Sequence, residues 1–313
     1  MDVLRVRAPF FRGVAQHLLA AVLRLATRTK VSRLVFSARR LEQKLPAQLR
    51  TVGTHRVRRW KLLWNLTLSD PLQRGLFFRG EGTFPRLSRQ IAHTIRPGDT
   101  VMDVGANIGS FALPVVAHAK AQTVYAFEPA ASTFQRLQEN VALNRLAAQV
   151  IPVHVALGET RDRRLLRERE RFGSNASSTF TLQGSGTPVE EVSVTSVDRW
   201  FEESGAPRID VVKIDVEGSE LAVVKGMSKL LSGPSRPRSL IVEVIDTFLE
   251  QAGGSWQVLR DVLGSHGYEA YEPMDGGGLQ RVSGVPSVRD VIFIFTGSAR
   301  PATNAIRDQT VTK

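Results

Sequence analysis

Cysteine is absent from the 313 residues, which excludes disulfides and thiolate metal sites. Histidine is scarce, and the six present show neither H-x-H nor H-E-x-x-H spacing, so the usual signature of a zinc centre is missing as well. Long apolar runs are also lacking. The longest near the start, Val14 to Ala26, contains His17 and Arg24 and is too short and too charged to cross a bilayer. No small-residue cleavage site follows it and arginines surround it, which argues against a secretory signal. The location expected from these absences is cytoplasmic.

Acids are outnumbered, 30 against 42 Lys and Arg, for a net charge of +12. The excess is confined to one end. Residues 1–61 carry fifteen Lys and Arg against Asp2 and Glu42, whereas the remaining 252 hold 27 basic and 28 acidic residues. A near-neutral body lacks the basic stripe that a nucleic-acid enzyme places beside its site, so a nucleic-acid partner is not expected. In the basic segment, the spacing of Leu18, Leu19, Val22, Leu23 and Leu25 allows one face of a basic amphipathic helix. Two readings stay open for residues 1–50: peripheral docking on an anionic membrane, or packing on the chain's own domain or a second subunit.

The rest of the chain is organised around Val101 to Pro129, VMDVGANIGSFALPVVAHAKAQTVYAFEP. A short apolar run turns on Gly105 and Gly109, a helix-forming stretch follows, and a second apolar run ends at Glu128. Strand, glycine loop, helix, strand and acid form the first βαβ unit of a doubly wound nucleotide-binding sheet. Glu128 lies nineteen residues past Gly109, at the distance where an acid meets a ribose diol. The loop, Gly105-Ala106-Asn107-Ile108-Gly109, departs from G-x-G-x-x-G, and Asp103 precedes it. A carboxylate there repels a pyrophosphate but suits the ammonium and sulfonium of S-adenosylmethionine. The plainer role for Asp103 is to pin the turn through backbone hydrogen bonds.

DVGANIGSF, AFEP, LQENVALN, VALG, VKIDVEGSE and IVEV, in that order, resemble the FkbM-type family of S-adenosylmethionine-dependent methyltransferases. The resemblance runs from about Trp60 to Phe295. It implies a class I methyltransferase fold and methylation of hydroxyl groups, often on sugars or polyketide-like acceptors. It leaves the acceptor open.

The expected architecture is α/β: a Rossmann-like, doubly wound, seven-stranded, mostly parallel sheet. A basic helical extension over 1–55 precedes the catalytic domain over 56–297, and a polar tail over 298–313 follows it. Within the domain, 60–98 is a strand-and-helix lead-in that includes a strand pair between His55 and Asp70. The D-x-x-Q-R segment there makes Gln73, Arg74 and Glu81 candidate lid or acceptor contacts, or an ordinary solvated helix face. Helices are expected at Arg86–Ile95, Ser110–Lys120, where Pro114 sits awkwardly, Ser132–Leu146, Ser219–Leu231 and Trp256–His266. Core strands are expected at 101–103, 123–127, 150–155, 209–214, 239–244, 268–272 and 290–295. Between 160 and 200, the mixed-charge run Arg161–Arg171 reads as a solvated face. Ser178–Leu182 and Val189–Val197 read as an inserted β-hairpin.

Ligands of such sheets bind outside the strand ends at the switch in strand order, here between Asp103 and Asp215. The expected donor contacts are Asp103, Gly105, Ala106, Asn107, Gly109, Glu128, Pro129, Val155 and Ala156. Methyl transfer to an alcohol needs alignment and a proton acceptor. Asp215 is the first choice for that role, with Glu217 and Glu243 at the same edge and Lys213 on the strand face beside Asp215. His154 is a further base or, more simply, structural. Asp215 and Glu217 have a second reading as helix caps. Mg²⁺ held by Asp215, Glu217 and Glu243 is weighed and not adopted, because no fourth acid joins them.

The function so reached is an S-adenosylmethionine-dependent O-methyltransferase acting on a small-molecule or glycan acceptor. A nicotinamide oxidoreductase on the same topology is disfavoured by Asp103 and by the missing second-position glycine. A non-catalytic donor-binding module docked on a membrane is disfavoured by Asp215 and Glu217 beside the donor loop.

Overall fold

The computed structural model describes residue 16 and residues 54–78, 93–168, 180–182, 186–274, 278–287 and 289–297. The basic helical extension expected over 1–55 lies almost wholly outside the described residues, as do Glu81, most of the helix expected over 86–95 and the tail expected over 298–313. Of the basic segment, Gln16 is described, and it is buried. No helix among the described residues is long and apolar enough to cross a membrane.

The lead-in is a ribbon of β1 (Thr54–Arg59) and β2 (Leu62–Thr67), followed by helix α1 (Pro71–Phe78). Trp60 and Lys61 turn the ribbon with φ of 50° and 64°, the two-residue left-handed turn whose twist suits a hairpin. Next come β3 (Thr100–Val104), α2 (Ala112–Ala119), β4 (Thr123–Phe127), α3 (Ala131–Leu143) and β5 (Val150–Val153). Pro114 is the third residue of α2, inside the first turn, where a missing N–H breaks no helical bond and no kink is required.

A separate small sheet follows, from β6 (Ala156–Gly158), β7 (Asp162–Glu168), β8 (Phe180–Thr181) and β9 (Thr187–Ser196), and leads into α4 (Val197–Glu203). The chain then returns through β10 (Val211–Ile214), α5 (Glu220–Lys225), α6 (Ser228–Ser232), β11 (Ser239–Glu243), α7 (Asp246–Gln251) and α8 (Trp256–Ser265). It ends in β12 (Tyr268–Pro273), β13 (Leu279–Arg281) and β14 (Asp290–Phe295).

The central sheet has the order β13-β12-β14-β11-β10-β3-β4-β5. Neighbours from β11 to β5 are parallel, and β14 runs antiparallel to both β11 and β12. Without the short edge strand β13 this is the expected seven-stranded doubly wound sheet, and β13 makes it eight. Alternation along the strands divides the core. Val101, Val124, Val211 and Ile241 pack with Trp64, Phe77 and Phe78 of the lead-in and with α2 and α3. Met102, Val104, Val212, Ile214 and Val242 pack on the opposite face with Val223, Leu230 and Leu259.

Two expectations are corrected. The inserted element is a four-stranded sheet, in which the antiparallel partner of β9 is β7, from the run read as a solvated face. Cross-strand pairs such as Arg163 and Glu191, 2.7 Å apart, keep one side of β7 in water while Leu166 turns inward to Ala130, Ala156 and Val192. The helix expected over Ser219–Leu231 is two short helices, broken at Gly226 and Met227.

Two amides of the LQENVALN motif tie the lead-in to the domain. Asn144 accepts from the N–H of Leu63 at 2.8 Å and donates to its carbonyl at 2.6 Å, in the manner of a neighbouring strand. Asn140, fully buried, accepts from the N–H of Asn65 at 2.7 Å and donates to the Ile108 carbonyl at 3.1 Å.

Candidate active site

A cavity opens at the carboxyl ends of β3, β4 and β10, at the switch point between β3 and β10. Its first wall is the glycine loop. The N–H groups of Gly105 and Ala106 both donate to the Phe127 carbonyl, at 3.0 and 2.8 Å, which folds the loop back over β4. Gly105 has φ of 82°, and a Cβ there would stand 1.9 Å from the Asp215 carbonyl oxygen. Only glycine lets the exits of β3 and β10 touch. Asn107, also left-handed at φ 51°, accepts the N–H of Ile108 on its own side chain at 2.7 Å.

Glu128, at the end of β4, accepts the N–H of Asn107 at 3.0 Å and of Ala130 at 2.9 Å and still borders the cavity. Burial pushes its carboxyl up to about 7, against the lowering effect of those two N–H donors. Each carboxylate oxygen keeps a free lone pair, so the group fits a ribose diol. Beyond it the wall becomes apolar, with Phe127, Val155, Ala156 and Leu157. Trp200 backs Phe127 edge-on at 4.9 Å between centroids. A carboxylate beside an apolar slot suits a nucleoside.

The second wall is acidic. Asp103, Lys213, Asp215 and Glu243 share one sheet face by alternation. Lys213 Nζ lies 3.1 Å from Asp215 and 3.4 Å from Asp103, over the ring of Phe111. Burial works against the ammonium, but Asp215 and Asp103 outweigh it and hold Lys213 above its ordinary value. Burial likewise raises Asp103, with Lys213 partly offsetting it. At 3.4 Å the Asp103 contact is an ion pair rather than a short hydrogen bond, and the backbone of Ala112 also helps to lower the Asp103 carboxyl. Glu243 is pushed up to about 10, first by burial and then by the charges of Asp215 and Glu217. Both causes favour its protonated form beside Asp215. Oxygens of Asp215, Glu217 and Glu243 lie within 4.8 Å of one another, a carboxylate set of the kind that also accommodates a divalent cation.

Glu217 reaches this group from a left-handed backbone at φ 52°. The turn around it is capped by another acid. Glu220 accepts the N–H of Val216 at 3.2 Å and of Gly218 at 3.0 Å, which leaves Asp215 and Glu217 on the cavity.

Of the residues picked from sequence, Gly105, Asn107, Glu128, Pro129, Val155, Ala156, Asp215, Glu217 and Glu243 all border the cavity. Asp103, Ala106 and Gly109 lie behind its lining. Asp103 is fully buried under the loop, and the open flank of Gly109 is filled by Leu113 and Leu137. His154 stands outside, stacked on Phe134 at 4.5 Å and 3.0 Å from the Pro129 carbonyl. Gln73 and Arg74 bond the lead-in's own backbone, Gln73 at Thr67 and Arg74 at Leu68. Sequence reasoning passed over Asp70 and Leu72 after the ribbon, Leu166 and Leu182 of the inserted sheet, Ser219 and Arg289, all of which border the cavity. Ser219 was within reach of inference as the next residue after D-x-E-G. Arg289 carries no local signal, because the antiparallel return of β14 brings it in.

A family model described as the methyltransferase FkbM domain matches residues 103–270. Among curated relatives, the chain is 36% identical over 153 residues to a hexuronic acid methyltransferase, AglP, of Haloferax volcanii, covering 49% of this chain and 59% of that protein. It is 30% identical over 207 residues to the 31-O-demethyl-FK506 methyltransferase FkbM of Streptomyces tacrolimicus, covering 58% and 76%. The chain thus spans less than two thirds of the length of the archaeal relative. Among solved structures it is similar to TrmK of M. capricolum in complex with S-adenosyl-homocysteine, at 14% identity, 71% coverage of each chain and a TM-score of 0.38.

Proposed function

The chain belongs to the FkbM methyltransferase family, and from that premise we propose that it transfers a methyl group from S-adenosylmethionine to a hydroxyl of a sugar-containing or secondary-metabolite acceptor. Bound, the donor supplies an electrophilic methyl on a positively charged sulfur. Glu128 holds the ribose hydroxyls, the apolar slot from Phe127 to Leu157 takes the base, and Gly105, Asn107 and Ser110 border the amino-acid end. The acidic wall offsets the sulfonium charge before transfer.

Asp215 accepts the acceptor hydroxyl's proton as the new carbon–oxygen bond forms and the carbon–sulfur bond breaks. Lys213 orients it at 3.1 Å, and Glu243, whose burial favours the protonated form, lies beside it. The observation that carries this reading is the contact between the exits of β3 and β10, which sets Asp215 directly against the donor loop. Names among the relatives, a hexuronic acid methyltransferase and a 31-O-demethyl-FK506 methyltransferase, support an oxygen acceptor.

Asp215→Asn keeps size and most hydrogen bonding but removes the base. The expected outcome is nearly unchanged S-adenosylhomocysteine affinity by calorimetry, with turnover lower by about 10²–10⁴. Full activity in the variant would sink the assignment. Wild-type activity abolished by chelator and restored by Mg²⁺ would instead make Asp215, Glu217 and Glu243 ligands.

A further inference from the structure

The cavity's charge is lopsided: Asp70, Glu128, Asp215, Glu217 and Glu243 face two cations, Lys213 and Arg289. Lys213 is committed, buried and ion-paired to Asp103 and Asp215. Arg289 is exposed, and no described carboxylate forms an ion pair with its guanidinium. Its main chain is fixed. The Arg289 carbonyl accepts the N–H of Val244, and the next residue, Asp290, opens β14 in register with Glu243. The side chain therefore projects from an anchored point at the cavity's edge. Arg289 lies beyond residues 103–270, the range matched by the family model.

A guanidinium facing a site built for a sulfonium is repelled when the donor binds. An anion delivered with the acceptor relieves that repulsion and matches the planar fork of the arginine. Neutral alcohols leave the fork solvated and the repulsion in place. We propose that Arg289 selects acceptors bearing an anionic group, a carboxylate or a phosphate monoester, close to the hydroxyl that is methylated. The inference rests on the methyl-transfer reading above.

The test first measures S-adenosylhomocysteine binding to the wild-type protein by calorimetry. It then follows transfer of labelled methyl to glucuronate, glucose 6-phosphate and methyl glucoside. Expected is a kcat/KM for one of the two anions at least about tenfold above that for methyl glucoside, the scale of one charge-assisted pair. Which anion is used separates carboxylate from phosphate. In Arg289→Gln the preference collapses towards one, and in Arg289→Lys part of it returns. The proposal is overturned if the product binds but methyl glucoside is labelled as well as the anions. The same holds if none of the three is labelled, or if Arg289→Gln keeps the preference. Absence of product binding would instead sink the methyl-transfer reading itself.

Discussion

Lys213 holds the acidic wall together. It sits between Asp103 and Asp215 with 4% of its side chain exposed, so its charge is what allows two carboxylates to remain on one sheet face. Replacing it by methionine leaves Asp103 fully buried without its counter-ion and takes the ion pair from Asp215 at the cavity. The expected cost is about 3–5 kcal/mol in chemical denaturation, because an uncompensated buried charge is far worse than no pair at all. A second change, Asp103→Leu, should recover part of that loss; no recovery would mean that packing against Phe111, not charge, is what Lys213 provides. The same residues show what sequence conveys at this scale. Register alone put Asp215, Glu217 and Glu243 at one edge, and they share the cavity. Alternation also gave the face on which Asp103 lies. It gave no sign that Phe111 and the loop cover that face, so Asp103 supports the wall from below instead of bordering the cavity.

At the scale of elements, strands with continuous apolar runs were legible to within a residue or two, as at Thr123–Phe127 and Asp290–Phe295. Strand β7 was not, because its signal is charge pairing across to β9 with Leu166 as its one deeply buried side chain. Capping was legible in kind but not in place. Glu220, not Asp215 or Glu217, closes the turn into α5. That choice has a pH consequence. Burial holds Glu220 up to about 7 from an ordinary 4.5, so the folded chain keeps a proton that the unfolded chain has released. Stability from this group is fully present below about pH 4.5 and is lost as pH rises to about 7. Glu128 acts in the same sense over the same window. The thermal unfolding temperature of the ligand-free protein should therefore fall between about pH 4.5 and 7, and Glu220→Gln should remove part of that slope. An identical slope in the variant would show that Glu220 titrates normally.

At the scale of the molecule, charge and chemistry are segregated. The acids of the cavity sit in a body of 27 basic and 28 acidic residues, while basicity belongs to residues 1–61. The lead-in ribbon begins inside that basic segment, at Thr54, and it is fastened by Asn140, whose single amide grips β2 at Asn65 and the glycine loop at Ile108. Two regions sharing one buried fastener cannot breathe separately. Any opening that frees the Asn65 amide to solvent also releases the loop against which a nucleotide would lie. Hydrogen exchange at Asn65 thus becomes a clock for the donor site, read more than 40 residues away in sequence. Saturating S-adenosylhomocysteine should slow it together with the amides of the loop, whereas in Asn140→Ala the two should exchange on independent timescales.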